Sequence, residues 1–419
     1  MNKNLCFKET DILIPDVNKI DMTKWSVIAC DQYTSDLAYW KSVREITDGA
    51  MSTLDMIFPE VYLETEDEKA KSERIKKINA AMSEYRDKLV CCADSIFYIE
   101  RELKNGSVRC GFVGAVDLED YEYKKGVNAK IRTTEETVVE RLPPRIKIRE
   151  NAVLELPHVM LLYDDKNNSI VTEVKNNIGD LEKIYDFELM KDSGKIKAYR
   201  LDEKNVAALK NKLQSLEDNS QSGLLFAVGD GNHSLAAAKE NYENIKKQYG
   251  EQAINHPARY ALVEVVNIYD ESLDIEPIYR VLFDVEPEKV IETLQKEYDV
   301  SFDEPKSDIH HEFEIYYGDN SRKIYINDPE YYLPVKVLQE FLDNYLKNNK
   351  AKLDYIHGKE ETIAISRKAD NLGFIFKTVS KGDLFETIER DGVLPRKTFS
   401  MGEAYDKRFY IECRKIALT

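Results

Sequence analysis

Leu224-Leu225-Phe226-Ala227-Val228-Gly229-Asp230-Gly231-Asn232-His233-Ser234-Leu235 is the stretch on which the reading of the fold turns. Residues 224–228 form an unbroken apolar run, too short for a helix and closed by glycine, which predicts a strand covered on both faces. From Leu235 the period changes. Leu235, Ala238, Tyr242, Ile245 and Tyr249 recur at three- and four-residue steps, so an amphipathic helix is expected, stopped at Gly250. The turn between strand and helix is a good place for chemistry. Its glycines permit tight turns and close approach of a ligand. The helix start offers unpaired N–H groups and a partial positive charge to phosphate or carboxylate, so Gly231, Asn232 and Ser234 are candidate phosphate cradles. Asp230 can hold Mg²⁺ or orient a substrate amine, and His233 can shuttle a proton or donate to a phosphoryl oxygen. A plainer reading stands beside this one: Asp-Gly is a common turn pair, and Asn232 can be an N-cap and nothing more. Neither the P-loop pattern nor G-x-G-x-x-G is present.

Working outward, residues 24–30 and 158–163 read as strands. Residues 95–100 and 108–116 read as a hairpin around Lys104-Asn105-Gly106. Residues 66–89 read as a long charged helix, 205–216 as a shorter one, and 119–151 as a loop rich in charge. Beyond residue 286 the texture changes to helices at 288–298 and 335–347, alternating with short strand pairs such as 313–317 with 323–326. The expected fold class is therefore α/β (α+β), with mixed sheets and flanking helices. The expected division is a catalytic region over 1–285 and a smaller C-terminal α/β region over 286–419 packed on it.

A chain of 419 residues exceeds one ordinary core, which agrees with two parts. Its net charge of −17 repels nucleic acid and anionic membrane, so neither is an expected partner, and a phosphate-bearing substrate would need its own basic pocket. The six cysteines form no C-x-x-C pair and fit reduced thiols. The polar start over 1–9 is unlike a signal peptide and no apolar run reaches a membrane span, so the expected address is cytoplasmic.

Several stretches together resemble a known family: CDQYTS (30–35), IRTTEET (131–137) with Arg141, Arg145 and Arg149 downstream, ELPHVMLLYDD (155–165), DGNHSLAAA (230–238), PIYR (277–280) and LPRKTF (394–399). The chain resembles the prokaryotic family called domain of unknown function 1015, related to the free serine kinase and more remotely to ParB and sulfiredoxin. The relatives' usual signature is Asp-Gly-His-His-Arg or Asp-Gly-His-Thr-Arg; this chain has Asn232 for the first histidine and Ser234 for the arginine. The resemblance implies a ParB/sulfiredoxin-like core and a place in serine metabolism. It also implies phosphoryl transfer between an adenine nucleotide (ADP or ATP) and serine or phosphoserine, with Asp230 at the active site.

Phosphoryl transfer needs cations around the phosphate oxygens. Lys130, Arg132, Arg141, Arg145, Lys147 and Arg149 are the densest basic stretch, and Arg132, inside IRTTEET, is the first choice among them. The alternative is a solvated face pairing with Glu135, Glu136, Glu140 and Glu150. Arg280 can reach a phosphate or sit in a buried ion pair, and Lys397 and Thr398 offer an ammonium and a hydroxyl. Asp31, Gln32 and Tyr33 follow a strand end and can face a cleft, while His158 opens an apolar strand and is as readily structural. The expected function is a Mg²⁺-assisted phosphotransferase. A phosphoserine phosphatase and a ParB-like nucleotide-binding switch without turnover are the alternatives.

Overall fold

In the computed structural model, which describes residues 5–124 and 126–418, Phe226–Asp230 is a strand and Asn232–Tyr249 a helix, with Gly231 alone between them. Met1–Asn4, the start of the polar N-terminal stretch, lie outside the described residues. The strand has two neighbours. Met160–Tyr163 runs antiparallel to it, with Leu161 opposite Val228; Ile131–Thr133 runs parallel, with Arg132 opposite Ala227. These belong to a mixed ten-stranded sheet. From one edge its order is Glu182–Glu188, Lys195–Arg200, Phe97–Glu102, Val108–Asp117, Tyr260–Asn267, Met160–Tyr163, Phe226–Asp230, Ile131–Thr133 and Tyr121–Glu122, with Phe7–Lys8 pairing on Val108–Asp117.

Side-chain alternation explains why both faces are covered. Tyr98 and Phe112 join one buried cluster with Phe226, Val228, Leu235 and Tyr242, the last two from the helix that follows Gly231. Phe97, Ile99 and Val113 face the opposite way, into a second cluster with Trp25, Trp40, Phe409 and Ile411. Burying one such side chain is worth about 1.5–3 kcal/mol, so the two clusters hold the sheet from both sides.

Several expected elements shift for local reasons. Residues 24–30 are not one strand: the Asp21 carboxylate accepts the Thr23 and Lys24 N–H groups and starts the helix Met22–Trp25, leaving only Val27–Ile28 extended. The charged loop over 119–151 contains the strand Ile131–Thr133 and the helix Leu142–Arg149, whose first turn takes Pro143 and Pro144 without losing a hydrogen bond. The long charged helix is Glu68–Arg86; Leu89 already begins a strand paired with Thr10–Pro15.

The chain forms two compact units, Met1–Leu273 with Glu403–Thr419, and Asp274–Gly402. The expected cut at 285/286 moves back to 273/274 because Ile275–Phe283 pairs with Lys352–His357, Asn371–Phe376 and Phe399–Met401, all in the second unit. The expected C-terminal region also loses its last residues to the first unit. Phe409–Tyr410 pairs with Val27–Ile28, and Arg414–Lys415 with Leu154–Glu155. The second unit carries a seven-stranded sheet and the helices Pro287–Glu297, Pro334–Asn348, Lys359–Ser366 and Leu384–Asp391. Among the described residues, no helix is long and apolar enough to cross a membrane.

The returning segment is fixed by buried charge. Arg408 binds Glu264 and Glu412, each at 2.8 Å, and Arg414 binds Glu155 at 2.7 Å. Removing one partner of such a pair strands the other charge out of water, which costs about 3–5 kcal/mol. Arg408→Met is therefore expected to destabilise the first unit by about that amount in urea unfolding; a loss below ~1 kcal/mol would show that this cluster does not hold the segment.

Candidate active site

The strand Phe226–Asp230 ends where Met160–Tyr163 begins, since Asp230 lies opposite Met160 in an antiparallel pair. Gly231 makes the turn in one residue at φ +82°, a left-handed conformation suited to glycine. It is also the N-cap of the helix, and no side chain caps the N–H groups there. Asn232 is thus the first helical residue and not the cap. Its Oδ1 accepts from Thr133 Oγ1 at 2.5 Å. Thr134 Oγ1 donates to Val228 O at 2.7 Å, and Val138 N–H donates to His233 Nε2 at 3.2 Å. IRTTEET therefore grips the turn from its parallel neighbour strand.

That last bond settles the chemistry of His233. Burial, then Arg145 and Arg141, push the imidazole down to about 4, so it is neutral near pH 7 with its hydrogen on Nδ1. Of the two roles that sequence suggested, proton shuttle and donor to a phosphoryl oxygen, this tautomer suits the donor.

The turn opens on a cavity of about 350 Å³. Asp230, Asn232, His233 and Ser234 line one side; Asp31, Thr34 and His158 line another. His158 Nε2 lies 3.3 Å from Asp31 Oδ2, and His158 Nδ1 lies 2.7 Å from the Tyr410 hydroxyl. The hydroxyl in turn accepts from Cys30 N–H at 3.2 Å and donates to Cys30 Sγ at 3.0 Å. The Tyr410 hydroxyl thus bridges His158 Nδ1 and Cys30, while Asp31 faces the other ring nitrogen. Burial would lower His158, but Asp31 and then Asp230 raise it above its ordinary value. Desolvation pushes the Asp31 carboxyl up, yet His158, Gln32 and Lys407 outweigh it and hold the group well below the usual carboxylate range. Burial, then Asp31, push the Cys30 thiol up to about 11, so it is no nucleophile here.

Asp230 has its own partners: Oδ1 accepts the Gly231 N–H at 3.0 Å, and Oδ2 lies 3.3 Å from Lys407 Nζ. Arg141, Arg145 and Arg149 reach the cavity wall. Arg145 pairs with Glu60, and Arg149 with Glu155 at 2.5 Å, so these two are balanced by acids other than the expected Glu135, Glu136, Glu140 and Glu150. Arg132 is not among the lining residues. It is buried and donates to Ala129 O and to the carbonyl and hydroxyl of Ser222. Gln32 Nε2 donates to Asp31 Oδ1 at 3.1 Å, and Tyr33 stacks on Tyr39 with ring centres 3.7 Å apart.

Arg280, Lys397 and Thr398 belong to the second unit and to a structural cluster there. Arg280 is fully buried and donates to Gln339 Oε1 and to the carbonyls of Ile278, Arg396 and Lys397. Thr398 Oγ1 donates to Pro395 O, and Lys397 Nζ lies over the Tyr355 ring. The described residues include no group of three or more His, Cys, Asp or Glu arranged to grip a metal. Lys407 and Tyr410 were not foreseen: they sit in a short segment without periodicity, and their partners are remote in sequence.

These features define an α/β protein whose uncapped helix start opens on a cavity flanked by two acids, Asp31 and Asp230. The chain belongs to the family described as "Protein of unknown function (DUF1015)", whose model matches residues 15–345. No curated protein matches it. Among solved structures it is similar to a free serine kinase in complex with AMP, at 15% identity over 72% of this chain and 91% of that one, TM-score 0.39. It is also similar to a conserved hypothetical protein from Pyrococcus furiosus, at 16% identity over 72% and 94%, TM-score 0.35. A third likeness is to SbnI with a C-terminal truncation from Staphylococcus aureus, at 10% identity over 71% and 85%, TM-score 0.38.

The Asp31–His158 pair predicts a pH window. The lowered Asp31 contributes stability above its unfolded value near pH 4, lost as pH falls through the folded one. The raised His158 contributes stability complete below its unfolded value near 6.5, lost as pH rises through the folded one. The stability gap between the native chain and Asp31→Asn should be widest between about pH 4 and 6.5 and narrow above it. Urea unfolding across that range checks this, and a gap independent of pH would contradict the pair.

Proposed function

We propose that the chain is a phosphotransferase that moves a phosphoryl group between phosphoserine, or serine, and an adenine nucleotide. The observation that carries this reading is the uncapped start of the 18-residue helix, opening on the cavity between Asp31 and Asp230. The family-like stretches DGNHS and IRTTEET meet at that point, Thr133 on Asn232, with Val138 just after IRTTEET on His233. Backbone N–H groups of Asn232, His233 and Ser234 would hold phosphate oxygens, with the exposed Arg141 guanidinium as a bidentate partner. His233 would donate from Nδ1. Asp31, kept ionised beside His158, would accept the proton of the serine hydroxyl; in a loose phosphoryl-transfer transition state a weakly basic carboxylate suffices for this. A divalent ion fits only through Asp230 together with phosphate oxygens, the manner in which Mg²⁺ is commonly held; when bound it would neutralise charge on the transferring group.

The test is a phosphorus NMR time course with phosphoserine, ADP and Mg²⁺, beside a sample lacking ADP. ATP should form only in the first. Free phosphate in both would mean a phosphatase, and no change in either would favour a binding protein. Asp230→Asn should cut ATP formation by roughly a hundredfold or more while leaving the unfolding midpoint in place; undiminished ATP formation would remove Asp230 from the chemistry.

A further inference from the structure

Asp230 directly, and Asp31 through His158, are reached from one short piece of chain. Lys407 stands against Asp230, and the Tyr410 hydroxyl is hydrogen-bonded to His158, which holds Asp31. This piece follows the second unit in sequence and lies beyond the end of the family match at residue 345. Its backbone is gripped in an unusual way. Arg101 donates to the carbonyls of Tyr405 (2.7 Å), Asp406 (3.1 Å) and Lys407, and Arg109 donates to Asp406 O at 2.9 Å. Both arginines are buried, and they lie directly opposite each other in the hairpin. Two like charges facing each other across a hairpin and out of water are unfavourable for the fold alone. Burial, then Arg109, push Arg101 down to about 9, a measure of that cost. The gain is three consecutive carbonyls fixed in place shortly before Tyr410.

We propose that the segment Tyr405 to Tyr410 is a positioning strap: clamped by Arg101 and Arg109, it sets Asp230 through Lys407 and Asp31 through Tyr410 and His158, so that the site is incomplete without it. The proposal deepens the phosphotransferase reading and rests on it for its activity arm only. Lys407 is not among the lining residues of the cavity, so it acts through Asp230 and not on a substrate. Around His158 the charged and titratable groups are Asp31, Asp230, Arg145, Tyr410 and Cys30. Loss of the Tyr410 hydroxyl leaves His158 Nδ1 buried without its hydrogen-bond partner and so shifts its titration. Loss of the Lys407 cation does not.

The experiment joins kinetics to nitrogen-detected NMR of His158 in full-length chains. Tyr410→Phe and Lys407→Met should each lower kcat for ATP formation from phosphoserine and ADP by roughly ten- to hundredfold with KM little changed. Lys407→Arg should recover most of the loss. The His158 titration should move away from the native midpoint in Tyr410→Phe and stay at it in Lys407→Met. Full activity in both variants would overturn the strap, and so would a His158 titration that moves the same way in both. If the native chain forms no ATP, the phosphotransferase reading fails and the NMR arm decides the strap alone: an unmoved His158 in Tyr410→Phe overturns it, and a shifted one upholds it.

Discussion

At Gly231 the backbone packs tightly against Val159. A Cβ built there would lie 3.0 Å from Val159 Cα and 3.1 Å from Val159 Cγ2, and the backbone sits at φ +82°. Both restrictions favour glycine, and together they bring the strand end, the helix start and the residues before Met160 to one point. Because the turn takes one residue, Asp230 and the first N–H groups of the helix face the same cavity as His158. A longer turn would separate the acid from the positive helix end and leave two half-sites. The threonines of IRTTEET then fix this geometry through Asn232 and Val228 O.

Although the chain carries −17, four of the acids that line the cavity are each matched by a cationic side chain. Asp31 has His158, Asp230 has Lys407, Glu60 has Arg145, and Glu155 has Arg149 and Arg414. Two positive features remain beside them: the uncapped helix start, worth about half a charge, and Arg141, which makes no ion pair among the described residues. Pairing also keeps Asp31 ionised, which a lone carboxylate in a confined site would resist.

The strand, turn and helix around Gly231 were legible in sequence because period and punctuation change within a dozen residues. The hairpin of Phe97–Glu102 with Val108–Asp117 was legible for the same reason, with Gly106 at φ +85° in its turn. Contacts between distant segments were not. The bond from His158 to Tyr410 spans 252 residues, and the one from Arg101 to Lys407 spans 306. No local pattern reports them, which is why Lys407 and Tyr410 went unseen and why the last residues were placed in the wrong unit. The region around the helix Ser169–Asn176 and the paired strands Glu182–Glu188 and Lys195–Arg200 was also opaque. Glu182–Glu188 is a largely exposed edge strand, so little apolar alternation marks it.

The arginines carry the wider lesson about reading a site from charge. Arg132 and Arg280 were attractive as phosphate ligands because they stand in family-like stretches, and both prove to be buried donors to backbone carbonyls. Arg101, Arg109 and Arg414 do the same. A guanidinium is well suited to this role because its five donors lie in one plane and can satisfy several carbonyls that would otherwise be buried without partners. A ligand-binding arginine must instead keep donors turned toward an opening. Of the basic stretch running from Lys130 to Arg149, the side chain that is exposed and also lines the cavity is Arg141. The density of basic residues therefore leads to the cavity wall, and burial decides which member of it keeps its donors turned toward the opening.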